Sequence, residues 1–150
     1  SVGKRLIRDS VVETPNFYNI RVYAVFDENE LGRRFIKSNV MKLINGESMV
    51  IHQDKYMDFF YMGDLITLVN HYIVEDDIPK EIDCSYNRKR TLIEIVELIS
   101  ELSPIKPIIT INNPSLGKSY IGNSLILDKL QLTLLGLEKG IEQVYKKIKV

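Results

Sequence analysis

The run DKYMDFFYMGDLITLV, residues 54–69, sets three carboxylates, Asp54, Asp58 and Asp64, among aromatic side chains. Carboxylates held close together in unlike surroundings can divide the acid and base roles of a reaction between them. Helix capping and loop hydrogen bonding account for the same residues more simply, with Asp64 capping a helix that begins at Leu65. Other chemistry finds less support. Cys84 lies in the alternating run EIDCSY, where a small buried side chain is the plain reading. A catalytic thiol needs a neighbouring base, and neither His52 nor His71 stands at a spacing that offers one. The chain has no H-E-x-x-H pair, no G-x-G-x-x-G, no phosphate-binding P-loop and no recognisable Ser-His-Asp order. A metal site is therefore not expected.

The elements that must position such groups belong to a chain of globular composition. Of its 150 residues, 45% are hydrophobic and 27% charged, which fits one folded unit rather than a disordered chain. Lys and Arg total 20 and so do Asp and Glu, so no net field favours nucleic acid or an anionic membrane. The basic cluster Asn87-Arg88-Lys89-Arg90 reads as a solvated face. A single cysteine, no long apolar span and no signal-peptide pattern together point to a cytoplasmic protein.

Periodicity predicts an amphipathic helix over residues 3–13, ended by Pro15, and then the run NIRVYAVF, residues 19–26. That run is apolar on both faces, as suits an interior strand of a parallel sheet. Phe35, Ile36, Val40, Leu43 and Ile44 mark a helix over 33–44 that stops at Asn45-Gly46. A strand at SMVIHQ follows, then a helix from Leu65 burying Leu65, Leu68, Val69 and Tyr72, and then a strand at EIDCSY. Thr91-Leu92-Ile93-Glu94 is a capping box opening a helix with Leu92, Ile95, Val96 and Ile99 on one face. KPIITIN predicts a last strand, and helical runs at 126–135 and 137–148 close the chain. Helices and strands alternate, so the class is α/β. An apolar interior strand with only one helix before it reads as the later half of an α/β domain.

The order of the pieces carries more than any one of them. An apolar strand with Arg-x-Tyr-x-x-Phe is followed by RRFI, then N-G-E-x-M-x-I, then D-K-x-M-D-F-x-Y-x-x-D-L. YNRKRTLIEIVELI and SYIGNSLILDKLQLTLLGLEKGIEQVYK follow. This succession resembles the carboxyl-terminal part of the extended short-chain dehydrogenases, the NAD(P)-dependent nucleotide-sugar epimerases, dehydratases and reductases. In that family, Met57–Leu65 corresponds to R-D-[FY]-[IV]-[YH]-V-x-D-[LV], and the tail corresponds to a closing Y-x-G-(D/N)…K-L…G-L-x-x-G-I. The likeness covers essentially the whole chain.

The resemblance implies a fold, the last strands of a Rossmann-like NAD(P)-binding sheet with a small mixed α/β substrate-binding lobe. Residues 1–27 and about 64–90 would be cofactor-domain elements, and about 28–63 and 91–150 mainly the lobe, within one unit. It also implies roles. Lys4 precedes Arg21 by 17 residues, the interval between the family's Y-x-x-x-K lysine and its strand arginine. Lys4 is thus the candidate catalytic lysine, binding the nicotinamide ribose and lowering the pKa of a tyrosine that would precede Ser1. Lys4 and Arg21 are the candidates nearest the cofactor, NAD or NADP, whose glycine-rich loop is not in this sequence. Arg33, Arg34, Lys37, Asn39 and Lys55 stand where the family meets its nucleotide-sugar substrate, arginine and lysine suiting a diphosphate. The helix from Lys4 to Val12 would be a homodimer face. Hydride transfer at a sugar carbon is the implied reaction, and these residues alone would be inactive. The alternative is a non-catalytic nucleotide-sugar-binding or regulatory module of the same fold. Three departures bear on that choice. Met57 stands where the family has an arginine, Ala24 where it has an asparagine and Asp27 where it has a glycine.

Overall fold

The computed structural model describes residues 2–150. Its elements run α1 (Val2–Glu13), β1 (Asn19–Val22), β2 (Val25–Phe26), α2 (Phe35–Asn45), β3 (Met49–Gln53) and β4 (Phe60–Tyr61). α3 (Met62–Val74), β5 (Glu81–Cys84), α4 (Leu92–Ser100), β6 (Ile109–Asn113), α5 (Leu125–Lys129) and α6 (Gly136–Lys149) complete it. The strands form three parallel pairs, β1 with β5, β2 with β4 and β3 with β6. Parallel pairing needs a crossover between partners, and the helices supply it. The mixed α/β class expected from the alternation is the one observed.

Local signals placed several elements well. α2 buries Ile36, Val40 and Leu43 at helical spacing. It ends at Gly46, which takes φ 70° and donates its N–H to Leu43 O, a left-handed cap that costs glycine little. α4 opens on the expected capping box: the Thr91 hydroxyl accepts from Glu94 N–H while the Glu94 carboxylate accepts from Thr91 N–H. Its Leu92, Ile95, Val96 and Ile99 are all buried.

Other expectations are corrected. Residues 19–26 do not form one strand. The run bends at Tyr23-Ala24, so that β1 pairs with β5 while β2 pairs with β4. Nor is it covered on both faces, since Val22 is 40% exposed. The helix after the acidic run begins at Met62, not Leu65, and its capping residue Tyr61 makes no side-chain cap. α3 buries Leu68 fully, but Val69 is exposed and Leu65 and Tyr72 are half-buried. The run 126–135 is helical only to Lys129; Gln131 takes φ 51°, and residues 132–135 lead irregularly into α6.

Two apolar clusters share the middle of the molecule. In the larger one α2, α4 and α6 close over β2, β3 and β4, burying Ile36, Val40, Ile95, Ile99, Ile141 and Val144. The smaller gathers Phe60, Leu68, Ile82, Cys84 and Leu127 beneath β1 and β5. Strand alternation explains how the aromatic run serves both: Phe59 and Tyr61 enter the larger cluster while Phe60 enters the smaller. α1 contributes no buried residue.

Candidate functional site

The three acids of the opening run are structural anchors, each facing a different part of the chain. Asp64, only 2% exposed, accepts from the backbone N–H groups of Leu135 (2.8 Å) and Gly136 (2.9 Å) and from the Tyr86 hydroxyl. It therefore holds the start of α6 rather than capping its own helix, which corrects the expected role. Burial, then the bond to Asp64, pushes the Tyr86 phenol well above its usual range. Asp58 accepts from Ser85 Oγ (2.6 Å), Lys89 Nζ (3.0 Å) and Gly122 N–H (2.7 Å). Asp54 accepts from Lys55 N–H and Ile93 N–H, fastening the start of α4. Each carboxylate accepts at least two hydrogen bonds, which explains why such groups are buried at all.

The two residues that flank Asp58, Met57 and Phe59, border a cavity. A hollow of 250 Å³ is lined by Tyr23, Ala24, Val25, Glu30, Arg33, Arg34, Phe35, Met57 and Phe59. Its floor is apolar: Phe35 stacks on Phe59 with centroids 5.5 Å apart, and Met57 and Ala24 lie beside them. Its rim is basic, because the turn before α2 presents Arg33 and Arg34, both exposed. Glu30 partly balances them. Its carboxylate lies 3.8 Å from Arg34 Nε and accepts from Lys37 N–H, and burial raises its pKa. Tyr23 forms one side, with its hydroxyl donating to Asp83, and burial and that carboxylate raise its pKa.

The remaining candidates are distributed around this hollow. Lys55 lines a second cavity, of 300 Å³, with Phe35, Val50, Ile51, His52, Gln53 and Leu92. Phe35 is the wall common to both. Lys37 is not a lining residue of either; its Nζ donates to the Glu28 and Glu30 carbonyls and ties down the loop that carries the arginines. Asn39 is 4% exposed inside α2, where its amide donates to Phe35 O at 2.9 Å. Asp27, which would face an anion unfavourably, accepts from Asn29 N–H in its own turn.

Lys4 and Arg21 lie elsewhere. With Arg5, Ile7, Arg8 and Asn19 they line a 330 Å³ hollow between α1 and β1. Arg21 is engaged by Asp83 and Glu81, and Glu81 is engaged by Arg8 as well. The Arg8 hydrogen bond, reinforced by Arg21, lowers the Glu81 pKa to about 2. Burial pushes the Cys84 thiol to about 12, so it is no nucleophile near neutral pH. The basic cluster at 87–90 is partly internal: Lys89 is bound to Asp58, and Arg90 pairs with Glu138 at the start of α6. Among the described residues, no group of acids, histidines and cysteine is placed to hold a metal. No helix among them is long and apolar enough to cross a membrane.

Reading the sequence alone misses Tyr23, Glu30 and Phe59 as cavity residues. The signal for Tyr23 was the two-residue alternation of Arg21, Tyr23 and Val25, hidden because the run reads as uniformly apolar. Phe59 lies in the larger core and borders the hollow as well.

No protein-family model and no curated protein sequence matches the chain. Solved structures do. UDP-glucuronic acid 4-epimerase from Bacillus cereus, in complex with UDP-glucuronic acid and NAD, superposes with a TM-score of 0.72 at 17% identity. The match covers 98% of this chain and 50% of that one. The NAD-dependent NDP-hexosamine 5,6-dehydratase TunA, of tunicamycin biosynthesis, gives 0.72 at 14% identity, covering 97% and 50%. UDP-glucose 4-epimerase from Thermotoga maritima, with UDP-glucose, gives 0.67 at 18%, covering 87% and 45%. The fold is therefore that of the carboxyl-terminal part of a Rossmann-like epimerase or dehydratase, and the chain spans about half the length of these structures.

Proposed function

We propose that the chain is the carboxyl-terminal, substrate-binding part of an NAD(P)-dependent nucleotide-sugar epimerase, dehydratase or reductase. The observation that carries this reading is the 250 Å³ hollow, with two arginines over an aromatic floor, in a fold whose solved examples bind nucleotide sugars. In open α/β folds ligands sit beyond the carboxyl ends of the parallel strands. The hollow begins at Tyr23, directly after β1 ends, and continues into the loop after β2.

Arg33 and Arg34 would engage the diphosphate with charge-assisted hydrogen bonds, while Phe35, Phe59 and Met57 exclude water from the chain of atoms beside it. Lys55 lies within the adjoining cavity. The elements at 1–27 and 64–90 would belong to the cofactor-bearing part, and 28–63 with 91–150 mainly to the lobe. The described residues fit only one end of a nicotinamide cofactor: Lys4, in the groove beside β1, supplies a cation suited to ribose hydroxyls, while the sequence has no glycine-rich phosphate loop. When bound, NAD or NADP would supply the hydride acceptor for a sugar carbon. Lys4 would hold its charge beside the group that moves the proton. The exposed apolar side of α1, with Leu6 and Ile7, would serve a homodimer, and the cytoplasm is the expected compartment, in carbohydrate biosynthesis.

Met57 favours a second reading, a nucleotide-sugar-binding module without redox chemistry. It places a thioether in the hollow where an arginine would add a further phosphate contact. Calorimetry with UDP-glucose and, separately, with NAD tests both. Binding of UDP-glucose that falls at least about tenfold in the R33A/R34A double variant supports the shared substrate site. Binding of neither ligand sinks both readings.

A further inference from the structure

We propose that the strap Tyr120–Asn123 sets the shape of the candidate substrate hollow, and that Gly122 is its positioning residue, acting through Tyr23. The inference rests on the hollow being the binding site proposed above. The strap does not line the hollow itself. It is laid against two of the residues that do, Tyr23 and Met57. Tyr120 forms a parallel bridge to Met57, its N–H donates to Tyr56 O at 2.9 Å, and its carbonyl accepts from Asp58 N–H at 3.1 Å. The Tyr120 ring meets the Tyr23 ring edge-on, with centroids 5.1 Å apart. The strap is then pinned at two successive amides by two buried carboxylates: Gly122 N–H to Asp58 at 2.7 Å and Asn123 N–H to Asp83 at 2.8 Å. Asp83 also accepts from the Tyr23 hydroxyl, so the residue holding the strap holds the cavity wall too.

The space left at Gly122 is smaller than a methyl group. A Cβ there would lie 2.5 Å from Tyr23 Cε2 and 2.8 Å from Asp83 Oδ2, closer than real Cβ contacts come. Any side chain at 122 must therefore displace the Tyr23 ring, and the wall of the hollow with it, or break the carboxylate pins. Binding sites are sensitive to such shifts, because a displacement of about 1 Å can cost up to about a hundredfold in function. The roles separate cleanly: Tyr23 shapes the hollow, and Gly122 only permits Tyr23 to stand where it does.

The test uses UDP-glucose binding by calorimetry, with thermal unfolding as the control for folding. G122A should weaken binding about tenfold. Y23A weakens it as well, and G122A/Y23A should bind as Y23A does, because the ring through which the added methyl would reach the hollow is already gone. A strap that merely supports the fold would instead give losses that add. Y120A removes the ring behind Tyr23 without adding bulk; it should weaken binding about threefold at an unchanged unfolding midpoint. Unchanged binding in G122A, additive losses in the pair, or, should G122A not fold, unchanged binding in Y120A would each overturn the proposal. Wild-type protein that fails to bind UDP-glucose would instead refute the site reading on which the proposal stands.

Discussion

The two ends of the sheet region are held by different physics. Around β2, β3 and β4 the molecule is closed: α2, α4 and α6 bury isoleucines and valines completely, and the aromatic run 59–61 is shared between two cores. Around α1 and β1 it is open. α1 has no buried residue, Leu6 and Ile7 are about two-thirds exposed at 63% and 66%, and the contacts to β5 are ionic. Arg8, Glu81, Arg21 and Asp83 form a ladder of alternating charge across the β1–β5 pair. Apolar burial stabilises the first region in proportion to area, whereas exposed ion pairs add little each and weaken with salt. The same α/β pattern is thus tight where the candidate hollow lies and loosely held around α1 and β1.

The contrast can be broken, most forcefully in the closed region. Ile95→Ala should lower unfolding stability by about 3 kcal/mol in a denaturant titration, because a fully buried side chain leaves a cavity. Asp64→Ala should cost about 2 kcal/mol, since it orphans the Tyr86 hydroxyl and two backbone N–H groups at the start of α6. The open region should answer to pH instead. Glu81 has a folded pKa of about 2 against an ordinary 4.5, so its contribution is complete above pH 4.5 and is lost as pH falls from there toward 2. Discounted for solvent screening it amounts to about 1 kcal/mol at neutral pH, and Glu81→Gln should flatten the stability profile between those limits. The smallest effect belongs to α1. Leu6→Ala should change the unfolding free energy by less than about 0.5 kcal/mol, with α1 amides exchanging far faster than those of α4. A loss at Leu6 matching that at Ile95, and growing with protein concentration, would show that α1 is covered by a second copy in solution.

Much of the fold was legible in advance for a local reason. A capping box needs residues three apart, a left-handed cap needs a glycine at one position, and a buried helix face needs a period of 3.6. Thr91-Glu94, Gly46 and the Ile95–Ile99 face are all such signals, and all are realised. The site was less legible. Arg33 and Arg34 reach one hollow and Lys55 the next, while Lys37 and Asn39 are spent on the backbone of the same loop and helix. A cation's type suggests what it can bind, but only its neighbours decide what it does bind.

By itself, the sequence determined the α/β class, most helix ends, the buried cysteine and the order of elements that resembles the epimerases and dehydratases. Only the tertiary structure decided that residues 19–26 break at Tyr23, because β1 and β2 have different partners. It alone decided that Asp64 anchors residues 135 and 136, and that a strap at 120–123 stands behind the hollow. Those bonds join residues 64 to 72 positions apart, a separation at which no spacing rule operates. Capping and periodicity are written within one turn or strand; a buried carboxylate finds its donors only after the chain has closed around it.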